Sequence, residues 1–175
     1  MLRRLLSVVL PVAVVSAAEP PKLKAVAYRG GIVTFSIPAE WKEEHQAEGG
    51  ATFYDEERDG SGTLRLNIIT AKAPVGKLPP DGLSYFSAKP QSKDARLSKT
   101  SRGDGMLFYR QEGEEAGQKL HVYTWEIARC TPPDTLRVAI FTWTLLASQS
   151  EEAVFKKEIK MLDGEIAKAY FHADL

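Results

Sequence analysis

Glu126 is the residue whose surroundings suit it least. It interrupts the run Val122-Tyr123-Thr124-Trp125-Glu126-Ile127-Ala128, and a carboxylate carried into an apolar layer must be paired or protonated. Perturbed carboxylates in clefts are candidates for acid–base chemistry. His121 precedes it on the same run, and Arg65 and Arg110 belong to segments that read as neighbouring strands. A hydrolase or small-ligand site built around Glu126, His121 and an arginine is therefore one expectation. The other, preferred here, is a structural role: an ion pair of Glu126 with Arg65 or Arg110, or a place near water at the strand end.

Other groups suggest chemistry less directly. Asp55-Glu56-Glu57-Arg58-Asp59-Gly60 places acids at the first, third and fifth positions of a calcium-type loop, with glycine at the sixth. Such a loop needs a bidentate glutamate at its twelfth position, and that position is Leu66. A solvated hairpin is expected instead. His45, His121 and His172 are too widely spread for the close ligand pairs of a zinc site. Cys130 is the single cysteine, so no internal disulfide can form, and its place at the end of an apolar strand predicts a buried, inert thiol. Arg102-Gly103-Asp104 matches a tripeptide read by adhesion receptors, but Gly-Asp-Gly is ordinary turn chemistry. No phosphate-binding glycine loop, Gly-x-Ser-x-Gly elbow or His-Glu-x-x-His motif occurs. Neither a metal nor a cofactor is expected.

The first residues concern compartment. Met1-Leu2-Arg3-Arg4 is a cationic start, Leu5 to Val15 is apolar, and Ser16-Ala17-Ala18 offers small residues to signal peptidase. That pattern predicts a secretory signal over residues 1–18, removed on export. The apolar run is too short to remain as a membrane span. Residues 19–22 read as a linker containing Pro20-Pro21, and residues 23–175 as one domain. The signal carries two arginines and no acid, and the whole chain has net charge +0. The mature protein is therefore slightly acidic, with no electrostatic reason to bind nucleic acid or an anionic membrane.

The elements that position these residues are mostly strands. Leu23–Tyr28 and Ile32–Ile37 alternate around Arg29-Gly30-Gly31, which predicts a hairpin. Pro38-Ala39-Glu40-Trp41 reads as a turn that folds Trp41 back on the core. Lys42–Gln46 and Ala51–Asp55 form a charged hairpin suited to a sheet edge. Thr63–Ala71 is a strand, with Leu64, Leu66 and Ile68 on one side and Arg65, Asn67 and Ile69 on the other. Asp81 is placed to cap a short helix ending at Ala88, and Asp94–Thr100 pairs with Met106–Glu112.

Lys119–Cys130 and Thr135–Ala147 form the most informative pair. With Thr131 opposite Thr135, Trp125 faces Phe141 and Tyr123 faces Trp143 on one side. Cross-strand aromatic pairs of this kind contribute about 0.2–1 kcal/mol each. Leu120, Val122, Ala128, Val138, Ile140 and Leu146 fall on the other side. Both faces are apolar, so both need cover. Phe155, Ile159, Leu162, Ile166 and Tyr170 recur at helical spacing, and Ser148 with Glu151 matches a capping box. A closing helix over 151–170, about 30 Å long, is expected to lie across the sheet.

Val33-Thr34-Phe35-Ser36-Ile37-Pro38-Ala39-Glu40-Trp41, with the order of strands, middle helix, long hairpin and closing helix, resembles the PsbP-like superfamily. The resemblance spans residues 23–172. It implies an α+β fold in which an antiparallel sheet of six to seven strands is covered by helices on both faces. It also implies a binding or assembly module, and it carries no functional residue over. The expected function is thus a non-catalytic accessory module, periplasmic or secreted, whose partner is another exported protein or envelope component.

Overall fold

The computed structural model describes residues 21–58, 60–89, 92 and 94–172. The expected signal over 1–18 and the first half of the linker lie outside the described residues.

Among the described residues, ten strands and two α-helices occur in the order β1 Leu23–Tyr28, β2 Val33–Pro38, β3 Lys42–His45, β4 Ala51–Tyr54, β5 Thr63–Lys72, α1 Gly82–Ser87, β6 Arg96–Lys99, β7 Gly105–Glu115, β8 Gln118–Thr131, β9 Thr135–Leu146, α2 Ala153–Ile166 and β10 Tyr170–Phe171. They form two sheets. The larger is antiparallel, in the order β3-β4-β5-β9-β8-β7-β6, and the smaller is β1-β2-β10.

The β8–β9 hairpin has the expected register, with Thr131 opposite Thr135, Trp125 opposite Phe141 and Tyr123 opposite Trp143. Trp125, Phe141 and Trp143 are fully buried. They join Phe53, Leu64 and Leu66 beneath the small sheet, which contributes Val33, Phe35 and Ile37, and beneath Phe155, Leu162 and Ile166 of α2. Phe35 bridges the layers, standing edge-on to Phe53 at 5.3 Å and to Phe141 at 5.0 Å. Trp41 is 2% exposed and closes one end of this core, as its turn predicted.

Cover on the opposite face is different. There Phe86 of α1 packs with Leu107, Ala128 and Val138 in a smaller cluster. Gly82 and Gly105 make that approach possible: a Cβ on Gly105 would lie 2.2 Å from the Gly82 carbonyl carbon, and one on Gly82 would lie 1.9 Å from the Ala128 oxygen. Asp81 caps α1 by accepting from the Ser84 N–H at 2.7 Å.

Three expectations need correction. Helices were expected over both faces of a single sheet; instead the first hairpin joins β10 in a separate layer, so one face is covered by a sheet and a helix together. Among the described residues, the other face carries only the six-residue α1. The closing helix spans Ala153–Ile166, 14 residues or about 21 Å, rather than 151–170. Its N-cap is Glu152, without a side-chain cap bond, so the Ser148–Glu151 box is not used. At the other end, the Ala167 carbonyl accepts from the Ser101 N–H at 2.8 Å. The chain then turns, and Tyr170–Phe171 pairs with Thr34 and Val33 of β2. Phe171, 2% exposed, is drawn into the core by that pairing, which outweighs continued helix.

Candidate functional site

Glu126 and His121 lie on one strand, five residues apart. Odd and even positions of a strand point to opposite faces, so the two side chains diverge. Glu126 belongs to the face under α1. Its Oε1 accepts from the Tyr109 hydroxyl at 3.0 Å, and its Oε2 lies 3.5 Å from Lys89 Nζ. The expected partners Arg65 and Arg110 are not used: Arg110 opposes Tyr123 and alternates to the other face, and Lys89 reaches in from beyond α1. Burial opposes the Lys89 charge, but Tyr85 and Glu126 outweigh it and hold the ammonium above its ordinary value. The Tyr109 hydroxyl is also held up, by burial first and by the Glu126 charge second. Such a triad is a packed ion pair with a hydrogen-bonded tyrosine.

His121 belongs to the opposite face, edge-on to Tyr123 at 6.5 Å. Its Nδ1 is buried without a hydrogen-bond partner among the described residues. An open cleft of about 470 Å³ adjoins it, lined by Glu112, Glu114, Lys119 and Ala147. Glu126 is not part of that cleft.

His45 stacks on Tyr28 at the β3 edge, and His172 meets Thr34 Oγ1 at 2.9 Å. The three histidines thus occupy three separate places. In the acidic loop, Asp55 holds the turn by accepting from the Glu57 N–H at 3.1 Å, and its Oδ2 lies 3.8 Å from Arg58. Glu56 pairs with Lys42 and Arg58 with Glu158. These acids face cations of the same chain; Asp59 lies outside the described residues. Among the described residues no group of three or more acids, histidines or cysteines converges as a metal site would require.

Arg102-Gly103-Asp104 is a turn whose acid points inward. Asp104 accepts from both Arg129 Nε at 2.7 Å and Nη2 at 2.9 Å, and its side chain is 6% exposed. Arg102 lies over the Tyr170 ring at 4.5 Å. A bidentate pair of this kind is structural. The signal for it in the sequence was Arg129, a cation directly after the apolar pair Ile127-Ala128. Cys130, half-buried, has its thiol pushed up by burial and then by the Asp81 charge.

What remains available for contact is the sheet face away from the core. α1 packs on β6, β7 and β8. Beyond it, β5 and the second half of β9 present Arg65, Asn67, Ile69, Thr142 and Thr144, while Ile140 packs at the rim of the Phe86 cluster. Ile69 is 53% exposed. Arg65 lies between Thr52 and Thr142, and its guanidinium has no ion pair or hydrogen bond among the described residues.

No protein-family model and no curated protein matches this chain. Solved structures do. One from Bacteroides thetaiotaomicron VPI-5482 is 16% identical, with a TM-score of 0.57 over 86% of this chain and 49% of its own. This chain therefore spans about half the length of that structure. LpqN, involved in cell envelope biogenesis of Mycobacterium tuberculosis, is 10% identical with a TM-score of 0.51, covering 85% of this chain and 84% of its own. Cyanobacterial PsbP (CyanoP) from Synechocystis sp. PCC 6803 is 12% identical with a TM-score of 0.38, covering 89% and 95%. The PsbP type expected from the sequence is thus among the matches. Likeness at these identities concerns fold and leaves function to the site. Among the described residues, no helix is long and apolar enough to cross a membrane.

Proposed function

We propose that this protein is an exported, non-catalytic accessory module that binds another protein of the cell envelope. The observation that carries it is the half-covered sheet. Its core face is filled by buried aromatics, whereas the outer face of β5 exposes Arg65, Asn67 and Ile69 in one row, with Thr142 of β9 beside Arg65. A partner suited to it presents an apolar patch with a carboxylate that meets the guanidinium, a pairing that fixes orientation as well as affinity. The secretory pattern of residues 1–18 and the fold shared with LpqN, itself involved in cell envelope biogenesis, support the compartment. The divergence of Glu126 and His121 supports a module rather than a hydrolase.

Photocrosslinking in intact cells tests this. A crosslinker at Ile69 is expected to give one discrete adduct, lost when Arg65→Glu is added, while one at Val154 on α2 gives none. Equal labelling from both positions, or none from Ile69, removes the proposal.

A further inference from the structure

Edge strands expose unpaired N–H and C=O groups, and proteins guard them with charge, proline or shortness. Two edges here follow that rule. β3 is Lys42-Glu43-Glu44-His45, and β6 is four residues bounded by Arg96 and Lys99. β10 has only two residues. β1 does not follow it. It is six residues long, lies at the rim of the small sheet, and its outward side chains are Leu23, Ala25 and Ala27. Its one lysine, Lys24, is turned inward and bonded to the Trp41 carbonyl.

The phase of the β1–β2 ladder says which backbone groups are free. The Ala39 N–H donates to the Lys22 oxygen at 2.8 Å, which makes Lys22 opposite Ala39 a hydrogen-bonded pair. Antiparallel pairs alternate between bonded and non-bonded, so Lys24, Val26 and Tyr28 also bond to β2. The N–H and C=O of Leu23, Ala25 and Ala27 therefore point away from it. Pro38, which has no N–H, is accommodated opposite Leu23 for the same reason. Among the described residues, free backbone groups and uncharged side chains thus coincide on the same three residues.

We propose that β1 pairs antiparallel with β1 of a second copy of this chain, on a two-fold axis through Ala25. In that register Ala25 bonds to Ala25 of the second copy, and Leu23 bonds to Ala27. Lys24 then opposes Val26, and Lys22 opposes Tyr28, so no two cations face each other. The alternative axis through Val26 sets Leu23 against Arg29, which lies outside the strand. The edge is small, so the association is weak and reversible, as expected of contacts below about 1,200 Å². It is separate from the β5–β9 face and stands or falls independently of it.

Sedimentation of the protein over a wide concentration range is expected to show a mass that rises from monomer toward dimer. Ala25→Pro removes an outward N–H while leaving the bonds to β2, and should weaken association at least about tenfold without lowering the melting temperature. Ala27→Lys, which keeps the N–H and adds an edge charge, should do the same should the proline variant fold poorly. Register is read by disulfides in a Cys130→Ser background. Bonded antiparallel residues have Cα atoms about 5.5 Å apart, within disulfide reach. Ala25→Cys should oxidise to a covalent dimer, Ala27→Cys alone should not, and Ala27→Cys mixed with Leu23→Cys should. A protein that stays monomeric throughout, or Ala25→Cys and Ala27→Cys crosslinking equally, overturns the proposal.

Discussion

Trp41 lies flat on Trp143, with ring centroids 5.0 Å apart and planes 1° from parallel. The contact joins the turn after β2 to the second half of β9, and so ties the small sheet to the large one. Trp41→Ala should lower unfolding free energy by about 3–5 kcal/mol, because it empties a filled site that cannot collapse onto a rigid sheet. Trp41→Phe should cost clearly less. Urea titration of both variants measures the difference.

Gly82 and Gly105 touch backbone to backbone. Alanine at Gly105 must push α1 off β7, and alanine at Gly82 must push it off the Ala128 carbonyl of β8, at a cost of about 1–3 kcal/mol each. Since either substitution lifts the same short helix off the sheet, the double variant should lose less than the sum of the two. Near-additive losses in thermal unfolding would contradict this.

Asp104 and Arg129 form a bidentate pair in which the acid is almost wholly buried. Arg129→Ala leaves that carboxylate without its cation and should cost about 3 kcal/mol or more. Arg102→Ala, on the same turn, should cost far less. In cell-adhesion assays the Arg102-Gly103-Asp104 tripeptide should be inactive while the protein is folded, since its acid is already engaged.

The Cys130 thiol is held above its ordinary value, first by burial and then by Asp81. The thiolate is the reacting form, so alkylation at neutral pH should be slower than for a free thiol. Its rate should continue to rise at pH values where a free thiol has already levelled off. Asp81→Asn removes the second cause and should bring the profile partway back, as followed by mass spectrometry.

Glu158 is held above the ordinary glutamate value by burial, although Arg58 pulls it down. Between the ordinary value and the raised one, the native state keeps the proton more than the unfolded chain does. Stability should therefore fall as pH rises through that window. Glu158→Gln should flatten that slope, and denaturation midpoints taken at several pH values test it.

Local pattern was enough for much of the sheet. Alternation in Gln118–Thr131 and Thr135–Leu146 leaves one register in which aromatics meet aromatics, and the Pro132-Pro133-Asp134 turn agrees with it. Asp81 was legible as a cap because capping is a contact with the N–H three residues on. The partner of Glu126 was not legible. Lys89 follows α1 in a stretch without periodicity, and only the packing of Phe86 on Ala128 and Val138 brings it over β8.

The same division runs through the whole protein. The sequence by itself determined the strands, their pairing in hairpins, and which side chains share a face, because these depend on alternation between near neighbours. Only the tertiary structure decided that β1 and β2 leave the main sheet, that Tyr170–Phe171 ends as a strand, and that Arg129 takes Asp104. Each of those outcomes joins segments far apart in the chain, where burial and pairing with a distant partner outweigh what the local residues prefer.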